Sequence, residues 1–248
     1  RSVSRGLGDV YKRQILNDSL KCSVTYSQGR LYADECTFAT LGFDPFEYFN
    51  SNHTTIEGFI YKNYSPGDSN RMYFTQNNAG RIDYFRQQIE SWYLNNRISY
   101  KEYVYLIACL LESVSDVSNT AGVYGAFLKH WDSRALKPIF FSKINSQTGT
   151  CPNVIAYNKK IEDIISNIEC DILYLDPPYT QNQYGTQYHL LETLVLNDEP
   201  TISTVTGSRP TAPMRSDWSK KYHAHILFEK VIAETKAKHI ILSLSLIH

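Results

Sequence analysis

The segment of this chain best suited to chemistry is Asp176-Pro177-Pro178-Tyr179. Each proline fixes its own φ and drives the preceding residue toward extended backbone, so Asp176 and Pro177 are stiffly held. Proline also has no N–H to donate. The segment therefore presents acceptors, the Asp176 carboxylate and the Pro177 carbonyl, beside the flat face of Tyr179. That set suits an exocyclic amino group on a nucleic-acid base, which is a poor nucleophile because its lone pair is delocalised into the ring. Two acceptors taking its two protons draw the nitrogen toward a tetrahedral shape and localise the lone pair. Bonds to a charged acceptor are worth about 1.5–3 kcal/mol each. Stacking on Tyr179 adds roughly 1–3 kcal/mol, and a base must leave its duplex to reach such a pocket. A group donor then lies in line with the nitrogen, and orientation is the main source of rate.

Several elements must position this segment. Cys170–Leu175 reads as a strand that is apolar throughout, as a parallel sheet covered on both faces requires, and ligands gather at the carboxyl ends of such strands. Ile15-Leu16-Asn17-Asp18 reads as a short buried strand ending at an acidic residue, and Ser19 could cap a helix running to about Leu41 before Asp44-Pro45 breaks it. Residues 43–73 are rich in aromatics, Asn, Gly and Ser and read as an irregular insert. Asn77–Trp92 has helical spacing, with Ile82, Phe85, Ile89 and Trp92 on one face. Tyr100–Ser115 is a helix apolar on most sides, hence buried. Leu136–Phe141 has strand character, with Pro138 placing it at an edge. Asn153–Tyr157 and Lys238–Ser243 read as strands; Lys160–Ile168, Thr186–Leu196 and Ser219–Thr235 read as helices. This alternation indicates a doubly wound α/β sheet. It predicts Val154–Tyr157, Ile172–Leu175 and His239–Leu242 as neighbours in one sheet, with Asp18 and Asp176 on the same edge.

Bulk properties narrow the classes. A hydrophobic share of 42% and a charged share of 20% in 248 residues build a real core and exclude a disordered chain. The net charge is zero, so any nucleic-acid surface is a local patch. Cys22, Cys36, Cys109, Cys151 and Cys170 form no C-x-x-C pair and no zinc-finger spacing with His, so free thiols, a cytoplasmic location and no metal site are expected. No apolar run is long enough to span a bilayer, and no signal peptide is visible.

The run Asp176 to Glu192, DPPYTQNQYGTQYHLLE, resembles the catalytic motif and following helix of the D12-class DNA adenine N6 methyltransferases that accompany restriction systems. Members typically continue past the tyrosine with an "RQY…NYHLLE"-like phrase. Here Asn182-Gln183-Tyr184 departs where an arginine is often seen, while Tyr188-His189-Leu190-Leu191-Glu192 keeps the rest. Ser118–Lys129 and Arg134–Pro138 also look familial. Asp at the first motif position argues for DNA adenine over RNA, protein or cytosine N4 targets.

The resemblance implies a Rossmann-like sheet that binds S-adenosyl-L-methionine, with an inserted, mostly helical target-recognition region. It implies Asp176, Pro177, Pro178 and Tyr179 as the catalytic set, with Asp176 also touching cofactor. Asp18 matches the acidic residue that holds the cofactor's ribose hydroxyls, because a carboxylate can accept from both. Asn158 sits where a polar group meets the cofactor adenine. Double-stranded DNA is the implied partner, with a cognate restriction endonuclease and no membrane. Candidate DNA contacts are Tyr184, Tyr188, Arg209, Arg215 and Lys220. The expected organisation is a catalytic domain of residues 15–42 and 106–243 around a recognition insert of residues 43–105. Residues 1–14 and 244–248 resemble translated sequencing-adapter stretches and are expected to be non-native. The family's glycine-rich F-x-G-x-G turn has no counterpart before Ile15.

Plainer alternatives stand beside these readings. Asp18 as a helix N-cap, Asn158 as a turn residue, Tyr184 and Tyr188 as packing residues, His189 as a satisfied helix residue, and the basic stretch around Arg209 to Lys221 as a solvated face are all compatible with the sequence. So are a non-catalytic nucleic-acid-binding module and a related RNA or protein methyltransferase, although stacking alone needs no carboxylate beside two prolines.

Overall fold

The computed structural model describes residues 13–146, 153–178 and 182–243. Its elements are β1 (Arg13–Asn17), α1 (Lys21–Tyr32), α2 (Pro45–Ser51), α3 (Phe59–Tyr64), α4 (Gln76–Leu94), α5 (Tyr100–Asp116), β2 (Asn153–Tyr157), α6 (Ile161–Ile164), β3 (Ile172–Leu175), α7 (Tyr184–Gln187), α8 (His189–Leu196), α9 (Lys221–Glu234) and β4 (His239–Leu242). The expected terminal stretches, residues 1–14 and 244–248, lie mostly outside the described residues; Arg13 and Gln14 are strand residues of β1.

Local chemistry explains the long helices. Asp44 caps α2, accepting from the amides of Phe46 (2.7 Å) and Glu47 (3.3 Å), with Pro45 at the first helical position. Thr75 caps α4 through the Asn78 amide. Ser99 and Glu102 close a capping box on α5. Glu102 also accepts from the Phe38 amide at 2.6 Å, and Phe38 there has a left-handed φ of 53°. The helix expected from Ser19 to Leu41 is correspondingly shorter. It ends at Tyr32, tightens through a 3-10 turn at Ala33–Glu35, and gives way to the loop that Glu102 holds.

α1, α4, α5 and α8 pack around one large core together with α2 and α3. Its centre is aromatic: the rings of Phe49, Phe85 and Phe141 lie 4.7–5.0 Å apart, tilted or edge to face. The helices of residues 43–105 thus share a core with α1, α5 and α8 rather than closing one of their own.

Leu136–Phe141 forms no strand, which corrects the sequence reading. Two asparagine side chains take the place of a partner strand. Asn78 accepts from the Ile139 amide and donates to the carbonyls of Ala135 and Lys137; Asn50 accepts from the Phe141 amide and donates to its carbonyl. Apolar extended chain satisfied by side chains looks like a strand in one dimension.

The larger correction concerns the sheet. β1 pairs with β2 in parallel, and β3 pairs with β4 in parallel, as two separate two-stranded sheets. The three strands expected side by side are therefore divided between them. Each pair is closed by its own crossover, the helical region for β1 to β2 and α7–α9 for β3 to β4. Among the described residues, no strand joins the two pairs into one sheet. The expectation that β3 is covered on both faces also fails. Leu173 and Leu175 pack with Ile165, Trp218, Leu227, Phe228 and Val231, whereas Ile172 (58% exposed), Tyr174 (60%) and Ile241 (50%) face outward. The result is a mixed α/β molecule with two small parallel sheets.

Candidate functional site

β1 and β2 run in register from Arg13↔Asn153 to Asn17↔Tyr157, so both chains leave the pair at the same end. Asp18 and Asn158 stand at that end, joined by a bond from Asn158 Nδ2 to the Asp18 carbonyl (3.0 Å). The Asp18 amide continues the ladder to the Tyr157 carbonyl. Asp18 Oδ1 accepts from the Leu20 amide at 2.7 Å, a turn that leads into α1. Burial raises the Asp18 carboxyl above the usual carboxylate range; the bonds from Leu20 and Ser23 oppose this, and the negative charge of Glu192 adds to it. Asp18 is not the N-cap of α1, which is Leu20; its Oδ1 holds the turn that precedes the helix.

Asp176, Pro177 and Pro178 follow β3 directly, with Asp176 exposed and both prolines half-buried. Tyr179, the expected stacking face, lies outside the described residues. The chain re-enters at Asn182-Gln183, where it is tied to the segment before α9. Gln183 donates to the Ser216 carbonyl (3.0 Å) and accepts from the Ser216 amide (2.8 Å), and Ser219 Oγ donates to the Asn182 carbonyl. Gly185 permits a close approach: a Cβ there would lie 2.4 Å from Met214 Cβ.

The helix expected over Thr186–Leu196 is broken at Tyr188 into α7 and α8. The segment 118–129 docks on the break, with the Tyr124 amide donating to the Gln187 carbonyl at 2.6 Å. Buried Asn119 anchors that segment. Its amide group donates to the carbonyls of Met72, Leu128 and His130, and its oxygen accepts from the Asp132 amide.

His189, expected to be a satisfied helix residue, is fully buried between the rings of Tyr64 and Tyr73, and neither ring nitrogen has a partner among the described residues. Burial pushes its pKa down to about 4, helped by the charge of Arg209 and opposed by the nearby Tyr124 carbonyl, so the ring is neutral near pH 7.

The candidate DNA contacts fare differently. Arg209 forms a forked pair with Asp198 (3.0 and 2.6 Å), and Lys220 pairs with Asp217 at 2.6 Å. Both charges are therefore engaged within the chain. Arg215 is exposed one residue from the Gln183 clamp. Tyr184 is exposed, with its ring 6.2 Å from that of half-buried Tyr188.

One residue of this region escaped sequence reasoning. Glu192, 4% exposed, accepts from the amides of Lys21 (3.0 Å) and Cys22 (2.8 Å) and so caps α1 from α8. The available signal was negative: Leu20, at the N-cap position, has no side chain able to cap.

Comparison with known proteins agrees with the motif. The chain matches the D12 class N6 adenine-specific DNA methyltransferase family over residues 2–248. It is 38% identical to Type II methyltransferase M.FokI of Planomicrobium okeanokoites, covering 82% of this chain and 32% of that protein. It is 36% identical to Modification methylase LlaI of Lactococcus lactis subsp. lactis, covering 96% and 40% respectively. It is 40% identical to Type II methyltransferase M.NlaIII of Neisseria lactamica, covering 75% and 55%. The chain thus spans between a third and just over half the length of these relatives. No solved structure matches. By motif and by overall similarity, this chain belongs to the D12 class of N6 adenine-specific DNA methyltransferases.

Proposed function

We propose that the chain carries the catalytic part of a site-specific DNA adenine N6-methyltransferase, acting on a base flipped out of double-stranded DNA. The observation that carries this reading is Asp176-Pro177-Pro178 at the carboxyl end of β3, with Gln183 at the start of α7 clamped to Ser216. Asp176 and the Pro177 carbonyl accept the two amino protons of adenine, and Tyr179 stacks on its ring. The chain's homology to type II modification methylases makes a cognate restriction endonuclease the natural partner. No helix among the described residues is long and apolar enough to cross a membrane.

S-adenosyl-L-methionine supplies the methyl group when bound. The residues at the β1–β2 end fit its ribose and adenine. Asp18 offers a half-buried carboxylate held by Leu20 and Ser23, and Asn158 is exposed beside it. Orienting these polar ends is their role; holding and polarising the target amine falls to Asp176.

A radiolabelled methyl-transfer assay on duplex DNA tests the reading. Asp176→Ala should lower kcat by at least about 10²–10³-fold, the scale of losing one oriented polar group at a reacting centre, with duplex affinity nearly unchanged. Tyr179→Trp should keep measurable activity and Tyr179→Ala should not. Label appearing on RNA or protein in preference to adenine in DNA would overturn the assignment. Duplex binding lost in Asp176→Ala, with turnover per bound complex unchanged, would favour a non-catalytic binding module.

A further inference from the structure

We propose that Glu192 is a positioning residue for the cofactor: from the helix that follows the Asp176 motif, it fixes the N-terminus of α1 and with it the carboxylate of Asp18. The inference rests on the functional reading above and adds a residue to it.

Three successive amides begin α1. The Leu20 amide donates to Asp18 Oδ1, the Lys21 amide to Glu192 Oε1 and the Cys22 amide to Glu192 Oε2. Two carboxylates thus grip one helical turn, and they come from positions 170 or more residues apart where Glu192 is concerned. Stability alone does not call for this arrangement. A Ser, Asn or Asp at the Leu20 position would cap α1 locally. The chain instead buries a carboxylate whose negative charge acts against Asp18, an unfavourable pairing in a region of low polarity. What the long-range cap provides is registry. α8 starts 13 positions after Asp176 and is held on its other side by Arg86 Nε donating to the Leu194 carbonyl. Glu192 ties that helix to the turn carrying Asp18, so the cofactor-holding residue is placed against the helix that follows the base-holding motif in sequence.

The test uses the whole chain with S-adenosyl-L-methionine as the probe, followed by calorimetry, amide hydrogen exchange and methyl-transfer kinetics. Glu192→Ala should raise the dissociation constant and KM for S-adenosyl-L-methionine by about tenfold or more, the consequence of losing two charge-assisted bonds. Its kcat should stay within about threefold, because the reacting groups are untouched. Exchange at the Lys21 and Cys22 amides should accelerate. Glu192→Gln keeps an acceptor oxygen, so it should fold like the wild type and show a smaller rise of the same kind. Unchanged affinity in folded Glu192→Gln and Glu192→Ala would overturn the proposal, as would a loss of kcat at constant KM. A wild-type chain that binds the probe but transfers no methyl group to DNA would refute the adenine reading alone, and Glu192 would then stand or fall on affinity and exchange. A wild-type chain that binds no probe would overturn the role given to Glu192.

Discussion

The helical region and the strand region solve the folding problem to different degrees. Around α1–α5 and α8, large aromatic side chains such as Phe49, Tyr73 and Phe85 are fully buried, and buried polar side chains such as Arg81 and Asn78 are bonded, Arg81 to the carbonyls of Phe49 and Thr54 and Asn78 to three backbone groups around residue 137, with the His189 ring nitrogens an exception among the described residues. The β3–β4 pair has a core of four buried residues and leaves Ile172, Tyr174 and Ile241 exposed. Yet the motif proposed to carry the chemistry, Asp176-Pro177-Pro178, directly follows β3. A helix buries its polar backbone by itself and needs only one packed face, whereas a strand needs partners at both edges and cover on both faces. Buried apolar packing in the described residues is therefore concentrated in the helices, and Glu192 and Gln183 hold segments that adjoin the strands, the start of α1 and the stretch before α9.

Three experiments press on that difference. Phe49→Ala should have the largest effect, about 3–5 kcal/mol, because it empties the centre of the aromatic core. Chemical denaturation measures it, and a loss below about 1 kcal/mol would mean that the helical core is not the stabilising body. The second concerns Asp83, which accepts from the amides of Ile60 (3.0 Å) and Tyr61 (2.8 Å) at the start of α3. Burial lifts its pKa to about 6 against the opposing pull of those amides. A folded pKa above the unfolded value means stability that is complete below about pH 4 and lost as pH rises through about 6, on the order of 3 kcal/mol. Asp83→Asn should flatten the dependence of melting temperature on pH across that window; an unchanged slope would remove Asp83 as its source. The smallest effect belongs to Ile172→Thr on the bare face of β3, expected within about 0.5 kcal/mol of the wild type. A large destabilisation there would show that the outward face is covered and would erase the contrast.

The elements themselves were largely legible. α4 and α5 follow their 3.6-residue apolar spacing to within two residues, and β2, β3 and β4 lie within the apolar runs that predicted them. What was not legible is everything decided at a distance. Strand order depends on which edges find each other, and nothing in the run Ile172–Leu175 says that its neighbour is His239–Leu242 and not Asn153–Tyr157. The false strand at Leu136–Phe141 arose because Asn50 and Asn78 supply hydrogen bonds that alternation attributes to a sheet. The break at Tyr188 carries no proline or glycine to announce it. At the site, the Asp176 motif stood out because its residue types are unusual after a strand, whereas Asp18 and Asn158 were pointed to only by the family resemblance. The cap from Glu192 was not, since its partners lie 170 residues away.

The pairing of β1 with β2 also imposes an order in time. Asn17 and Asn153 are separated by 136 positions, so β1 cannot pair until all of α1 to α5 has been made. Closing so long a loop from a random chain costs about 4 kcal/mol in entropy beyond a constant. α1 packs on α5, and only three residues separate β1 from α1, so the contact between these two helices spans most of that loop. β1, the first strand among the described residues, is thus brought near its partner by helices that follow it in sequence.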